Sequence, residues 1–592
     1  MKRRDFLGLA SASVMGSLAT PGFSSIDNMK PGQAVNAPSG AKEMGNRSLF
    51  LLDQSSGGNA KEHEIGSIFM NPETLAQFHY NGRVATSPGY LQSFAAIGTV
   101  GATPDFQAWL QTRIDSTRET IKASHESGVK VYGGIDMIVF PKFVVDHYAK
   151  EICNAQGHID IERPKTQELV RAQMTELFEQ FPDLDGLVVR TGEVYLQSLP
   201  FHATSSNVGD KLTQGGSAIL HGESSHLALL TVLRNHVCEK LGKQIFYRTW
   251  DFGENFHENR QYYLAVTNLV PTHPKLTFSI KEQKGDFLRL TVFNPTLLIG
   301  QHRQIVEVQC QREVYGKGAH PNYIGKGVIE GWEEYAWLMY PQDPRGLRDI
   351  VNDPLYAGMW TWSRGGGWDG PYIPNDMWNE LNTFVINGFA LDSKRSEADI
   401  FEEYSRWIGL KGDDLGRFRK LQLLSPGAVL RGQCTTLGAA IDLWWARDDK
   451  MAVPDLSDFL KKGVVEAAIL EKHESVTMWK EMEALAAQIH FADPMKQSFA
   501  EVSCTYGRIK FAIFAEAWTV MLLGAYYDAF GVLDKERVRM AIQGYDALWQ
   551  EWRELKAKEP MCASISHDYG FDRNRPGVGD VINKYRKVVG LA

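Results

Sequence analysis

Short apolar runs of this sequence end repeatedly in carboxylates or cations. The first run, LDGLVVRTGE at 184–193, ends in Glu193, and Arg190 precedes it by three residues. A glutamate at the partly desolvated end of a buried strand can hold a raised pKa and act as a general acid. Hydrolysis of a glycosidic bond needs such an acid and a second carboxylate. Glu193 is therefore a candidate general acid and Arg190 a candidate substrate contact. The alternative is a surface glutamate that pairs with Arg190.

Two later runs end in cations. Arg248 lies in FYRTWD, where a guanidinium between aromatic neighbours offers two parallel donors to a substrate carboxylate. The alternative for Arg248 is an ion pair with Glu254 or with a catalytic carboxylate. Lys281 closes FSIK and Asp286 follows five residues later, so this run supplies a cation and a second candidate carboxylate.

The run VEVQCQRE at 306–313 alternates polar and apolar residues. Because successive side chains of a strand point to opposite faces, Glu307, Gln309, Gln311 and Glu313 share one face. If this face lines the interior of a barrel, its polar groups must be hydrogen-bonded or used. Glu307 and Gln309 are thus candidate substrate contacts, and Glu313 at the rim is a candidate catalytic carboxylate.

Aromatic and histidine side chains supply further candidates. Trp362 and Trp368 lie in WTWSRGGGWDG, where each is expected to stack beneath a sugar ring or, alternatively, to pack in the core. His320 follows the candidate Glu313 in the next loop and is expected to line the same site. The glycine-rich run lacks the pattern of a phosphate-binding loop.

No metal or cofactor motif is present in the sequence. The histidines near 202–226 include no HExxH pattern, and the six cysteines are scattered without a C-x-x-C pair. We therefore expect no metal, no cofactor and no disulfide scaffold. The presence of one or two disulfide bonds is left as an open alternative.

The elements that position these residues follow from runs of β-branched and aromatic residues that alternate with helical patterns. Such alternation predicts right-handed βα units and a parallel sheet. The polar residues just past the strand ends favour a (β/α)₈ TIM barrel over an open doubly wound sheet, with one unassigned strand between 52 and 129. The seven predicted strands are 48–52, 129–135, 184–189, 244–250, 276–280, 304–309 and 358–362.

From residue 377 onward helical patterns dominate. We therefore predict a catalytic barrel at 48–376 followed by an α-helical C-terminal region at 377–592, where a homodimer contact is also expected. Arg508, Lys510 and Glu516 indicate that the apolar stretch 506–530 is a buried helix rather than a membrane span. The predicted helices of this region are 397–408, 464–491, 506–530 and 535–556.

The N-terminal residues predict export. Arg3 and Arg4 precede a short apolar run, which is typical of a twin-arginine signal at 1–30, and a tether rich in Gly, Ser, Asn and Pro follows at 31–47. The expected location is periplasmic or extracellular. The net charge of −8 and the absence of a later basic run argue against a nucleic-acid partner, and no membrane association is expected.

Taken in order, these segments resemble the family 67 glycoside hydrolases, the α-glucuronidases, over about 184–407. The resemblance rests on Thr191-Gly192-Glu193, Arg248, the Lys281-to-Asp286 step, the spacing of Glu307, Gln309 and Glu313, and two later helical segments, 378–389 and 396–407. It implies that Glu193 is the acid, that Asp286 and Glu313 share the activation of water, and that Arg248 and Lys281 bind a uronate. Two differences from the family are expected: only a tether before Phe50, where the family has an N-terminal β-domain, and an insertion at 194–225 that reshapes the pocket.

The function we expect is that of an exported, inverting glycoside hydrolase that removes a uronic acid, most simply α-linked glucuronate, from a carbohydrate substrate. Inversion would require about 6.5–9.5 Å between acid and base. Two alternatives stay open: a glycosidase with the same barrel and a neutral sugar substrate, and a non-catalytic carbohydrate-binding protein.

Overall fold

A computed structural model describes most of the chain between 49 and 591. The described residues are 49–55, 67–85, 88–97, 102–192, 199–204, 220, 222–250, 256–285, 287–310, 318–364, 373, 375–437, 453–563, 568 and 576–591. All of them belong to one compact unit, Lys42–Ala592. The predicted export signal and most of the tether precede this unit, and both lie outside the described residues.

Eight parallel strands form a closed barrel in which each strand pairs with its neighbours in the chain and β8 pairs with β1. This confirms the predicted TIM barrel. The unassigned strand is β2, whose four residues carry a glycine and an arginine and therefore give a weak strand pattern. The strands are β1 Phe50–Ser55, β2 Gly82–Ala85, β3 Lys130–Asp136, β4 Gly186–Arg190, β5 Gln244–Arg248, β6 Leu276–Lys281, β7 Gln304–Gln309 and β8 Tyr356–Arg364.

Helices connect the strands on the outside of the barrel. They are α1 Pro72–Gln77, α2 Pro104–Glu126, α3 Lys142–Ile152, α4 Pro164–Gln180, α5 Glu223–Leu233, α6 Arg260–Thr267, α7 Gly325–Glu330, α8 Tyr335–Leu338 and α9 Leu347–Ile350. A π-helical turn, Arg234–Lys240, extends α5. Three 3₁₀ turns, Ile68–Met70, Pro88–Tyr90 and Ala95–Ile97, lie between β1 and α2.

The side chains on the two faces of each strand pack in different places. Apolar side chains from seven of the eight strands, including Leu52, Val84, Tyr132, Val188 and Phe246, fill the barrel interior as a separate cluster. The alternate positions pack outward against the helices. Because side chains alternate, the positions two residues beyond this inner cluster also face inward, nearer the C-terminal mouth where barrel enzymes hold their sites.

The C-terminal region is helical, as predicted. Its helices are α10 Met377–Leu391, α11 Glu397–Trp407, α12 Asp413–Gln433, α13 Ser457–Lys461, α14 Val465–Ala486, α15 Pro494–Phe530, α16 Lys535–Lys558 and α17 Val578–Val588. Helix α15 begins twelve residues before the predicted stretch. It is the one helix of the described residues long and apolar enough to cross a membrane, but 83% of its most apolar window is buried inside the protein, as expected for a core helix.

Gly358 permits closure of the barrel at the β1–β8 seam. It adopts φ +129°, and a Cβ there would lie 2.0 Å from the carbonyl oxygen of Phe50. We expect Gly358→Ala to lower the free energy of unfolding by roughly 2–4 kcal/mol. Gly416→Ala in the exposed face of α12 is the control, since open space surrounds that position and alanine favours a helix by up to about 1 kcal/mol. Equal effects in urea denaturation would contradict this account of the seam.

Candidate active site at the barrel mouth

A pocket of about 360 Å³ opens at the C-terminal ends of the strands, and this volume lies in the range of small-molecule sites. Its polar lining residues in the described part of the chain are Gln54, Arg113, Asp136, Arg190 and Arg248. Its aromatic lining residues there are Tyr90, Trp109, Trp360 and Trp362. Strands from around the barrel and helix α2 therefore contribute to one cavity, as the sequence predicts for a barrel.

Arg248 is fixed by Glu307 across the barrel interior. Nε and Nη2 of Arg248 donate to the two oxygens of Glu307 at 2.8 and 2.5 Å, and Nε1 of Trp362 donates to the same carboxylate at 2.9 Å. Glu307 is fully buried and Arg248 only 4% exposed. The ion pair foreseen as the alternative for Arg248 thus exists, but with Glu307. Glu307 holds the arginine rather than standing open to the pocket.

Trp362 and Trp360 form a stacked pair beside this guanidinium. Their ring centroids are 5.3 Å apart with an interplanar angle of 27°, and Cζ of Arg248 lies 5.4 Å from each ring. Nε1 of Trp360 has no hydrogen-bond partner among the described residues. Trp362 lies where a sugar-stacking residue was predicted, in the pocket wall, and half-buried.

A second bidentate pair lies on the neighbouring strands β3 and β4. Arg190 at the end of β4 pairs through Nε and Nη2 with Asp136 at the end of β3. The hydroxyl of Tyr90 accepts from the backbone N–H of Asp136 at 2.7 Å, and burial and nearby Asp136 raise the pKa of that phenol above its usual range. Asp136 is the last residue of β3 and comes directly after the predicted strand 129–135. A search for charged residues at strand ends, which identified Glu193 and Arg248, would therefore also have identified Asp136.

Lys281 and Gln309 are the last residues of β6 and β7, and both are buried. Lys281 is 2% exposed, and its Nζ lies 3.5 Å from the ring centroid of Trp250 and 4.7 Å from that of Phe287. Gln309 is fully buried, and its amide oxygen and nitrogen have no hydrogen-bond partner among the described residues. Such an amide has both a donor and an acceptor available for a hydroxylated ligand or water.

His320 lies away from the pocket lining. Its fully buried ring packs between Trp479 and Phe511 of the helical region, and Nζ of Lys510 lies 3.4 Å from Nε2. Burial and Lys510 lower the pKa of His320 well below its usual value. The expected substrate contact is therefore replaced by a packing role, because this loop turns toward α14 and α15.

Three predicted catalytic carboxylates, Glu193, Asp286 and Glu313, lie outside the described residues, as does Trp368. The described residues on either side of the gaps are well anchored. Arg289, three residues after Asp286, forms a buried bidentate pair with Glu334 at 2.6 Å and donates to the carbonyl of Pro426 in α12. The carbonyl of Cys310, before Glu313, accepts from Asn382 of α10 at 2.8 Å.

The insertion at 194–225 is described only in part. Leu199 lines the pocket, and the segment His202–Ala203 pairs with Phe140–Pro141 in a small antiparallel sheet. The insertion thus contributes to the pocket wall, as expected of a segment at the barrel mouth. Burial lowers the pKa of His202 to about 4, so that this imidazole is neutral beside the pocket.

Potential metal ligands and thiols are dispersed through the fold. No group of three His, Cys, Asp or Glu side chains in the described ranges is arranged to hold a metal ion. All six cysteines are free thiols. His226, part of the histidine-rich segment, is buried with its Nδ1 3.3 Å from the hydroxyl of Tyr247, and burial lowers its pKa to about 3.

No family model and no curated protein matches the sequence. Among solved structures, a GH138 enzyme targeting pectin rhamnogalacturonan II matches with a TM-score of 0.52 and 10% identity over 92% of this chain and 67% of that one. A β-N-acetylhexosaminidase from Bacteroides fragilis matches over 61% of this chain and 70% of that one with a TM-score of 0.33 and 12% identity, too slight a likeness to argue from. The first match shows the fold alone, and the resemblance to family 67 stays a prediction.

The buried Arg248–Glu307 pair yields a stability prediction. Removing one partner leaves the other charge buried and unpaired, which costs roughly 3–5 kcal/mol. We expect Glu307→Gln to lower the free energy of unfolding by at least about 2 kcal/mol, and Arg248→Met in the same chain to restore part of this loss. A double-mutant cycle by urea denaturation measures the coupling.

The pair between Arg431 and Glu333 provides the control, because it has the same bidentate form but its carboxylate is exposed and its arginine is only partly buried. Glu333→Gln should cost less than about 1 kcal/mol. If the two substitutions have the same cost, the barrel interior around Glu307 is not the low-dielectric environment that the structure indicates.

Proposed function

We propose that the protein is a glycoside hydrolase that removes a uronic acid, most simply α-linked glucuronate, from a carbohydrate by inversion. The observation that carries the proposal is the pocket at the barrel mouth, whose described lining combines a tryptophan stack with three arginines. Aromatic faces suit the apolar face of a sugar ring, and guanidinium groups suit a carboxylate. The shared fold with a GH138 enzyme that targets a pectin supports a carbohydrate substrate.

The proposed chemistry needs a proton donor and a base on opposite sides of the bond. Glu193 follows Arg190, a pocket residue, by three positions and is proposed as the acid. Asp286 and Glu313 follow the inward-facing ends of β6 and β7 and are proposed to activate water together, so that they titrate as a pair. Arg248 is proposed to contact the sugar from the pocket wall, next to Trp362.

One observation favours a second candidate, a glycosidase of a neutral sugar. The charges of Arg190 and Arg248 are each balanced by a carboxylate, Asp136 and Glu307. A pocket lined only by such pairs would carry little net positive charge for an acidic ligand. The two candidates differ in substrate and not in the roles proposed for the carboxylates.

Substrate choice and the role of Glu193 can be tested together. Oligosaccharides capped with different uronic acids, and their neutral hexose counterparts, are incubated with the protein while NMR follows the anomer first released. We expect hydrolysis of a uronide with inversion. Glu193→Gln should lower kcat by roughly 10²–10⁴-fold or more, the usual contribution of an acid or base.

Glu179→Gln is the matched control, since Glu179 is exposed on α4 and should leave kcat unchanged. Hydrolysis of neutral substrates alone would establish the second candidate. Absence of any hydrolysis, with sugar binding intact, would instead indicate a carbohydrate-binding protein. Export through the twin-arginine signal and a homodimer through the helical region are retained as further proposals.

A further inference from the structure

Three arginines of the described residues line the pocket, and their electrostatic environments differ. The guanidinium groups of Arg190 and Arg248 are each held by two hydrogen bonds to a carboxylate. Each of these pairs is close to neutral as a unit. An anionic ligand placed against such a pair meets the carboxylate as well as the cation, so the attraction is small.

Arg113 is the third arginine, and it makes no ion pair with a carboxylate among the residues that the structure describes. It projects from the N-terminal half of α2, and its Cζ lies 4.4 Å from the ring centroid of Trp109. Its side chain is exposed on one side, while partial burial lowers its pKa from the usual value. An arginine keeps its charge under such a shift because its usual pKa is above about 12.

Trp109 gives this arginine a defined position. Its ring stacks on Phe106 with centroids 6.1 Å apart and meets Phe201 and His202 at 5.8 and 5.5 Å. His202 is neutral because burial lowers its pKa to about 4. A guanidinium stacked on a fixed indole loses less side-chain freedom when it binds a ligand than a mobile one does.

We propose that Arg113, held against Trp109, is the cation that recognises the acidic group of the substrate in this pocket. The proposal rests on the proposed function and deepens it: the ligand is a sugar with a carboxylate, and α2 supplies the residue that distinguishes it from a neutral sugar. The two arginine–carboxylate pairs then shape the cavity and donate hydrogen bonds to hydroxyl groups.

The test is binding rather than turnover. The full-length protein is titrated by calorimetry with glucuronate and galacturonate, and with glucose and galactose as the neutral counterparts. We expect the wild type to prefer one of the uronates. Arg113→Gln should weaken the binding of that uronate about 10-fold or more, as for loss of a hydrogen-bonded charge pair. The affinity for the neutral sugar should stay unchanged.

Two further variants define the site. Arg118→Gln removes a charge from the same helix, where Arg118 lies beside Asp115, and should bind both sugars as the wild type does. Arg113→Lys should retain part of the preference, because lysine keeps the charge but not the planar fork. If Arg118→Gln removes the preference equally, the effect is one of overall charge and the proposal is wrong.

The proposal is also overturned if the wild type binds uronate and neutral sugar alike, or if Arg113→Gln weakens both equally. Its failure is separable from that of the proposed function. Uronate binding that depends on Arg113, in a protein that hydrolyses no glycoside, would disprove only the hydrolase. Hydrolysis of a uronide with the same KM in wild type and Arg113→Gln would disprove only the role of Arg113.

Discussion

Across the interior of the barrel, the guanidinium of Arg248 on β5 is held by the carboxylate of Glu307 on β7, with the indole of Trp362 on β8 as a third partner. Two buried charges are tolerable in such a place only when their geometry is good and their remaining donors and acceptors are satisfied. This requirement fixes three strands relative to one another. It also keeps Trp360 and Trp362 stacked against the arginine, and so determines the shape of one pocket wall.

The second pair, Arg190 with Asp136, does the same for β3 and β4. In both pairs the charge of the carboxylate is balanced by the arginine, so neither carboxylate makes the barrel mouth acidic. Both arginines line the cavity. The electrostatic consequence is that these two arginines give the pocket fixed donors whose charges are balanced by carboxylates. The one lining cation in the described part of the pocket that lacks a carboxylate partner there, Arg113, comes from a helix and stands at the edge.

Local patterns were sufficient to predict the barrel and the inner face of β7, because strand alternation and polar strand ends are local features. The partner of Arg248 could not be predicted, since Glu307 lies 59 residues away and meets it only after the sheet closes. The sequence did not indicate that Arg113 and Trp109 line the pocket. The pattern of an amphipathic helix shows which face is buried, but not which turn lies over the mouth of the barrel. The residues around His320 do not indicate whether their loop turns toward the barrel mouth or toward α14 and α15.

The helical region is hydrogen-bonded to the chain segments that carry two of the proposed catalytic carboxylates. Arg289 and Cys310, which lie near the ends of the chain segments carrying Asp286 and Glu313, are bonded to Pro426 of α12 and to Asn382 of α10. Arg190, near Glu193, is bonded instead within the barrel. Among the described residues, the neighbour of the proposed acid is thus hydrogen-bonded within the barrel, whereas the neighbours of the two proposed bases are hydrogen-bonded to the helical region. The proposed inversion would need a separation of about 6.5–9.5 Å between acid and base. In that mechanism the hydrogen bonds from α10 and α12 to the neighbours of the proposed bases would help to set this separation.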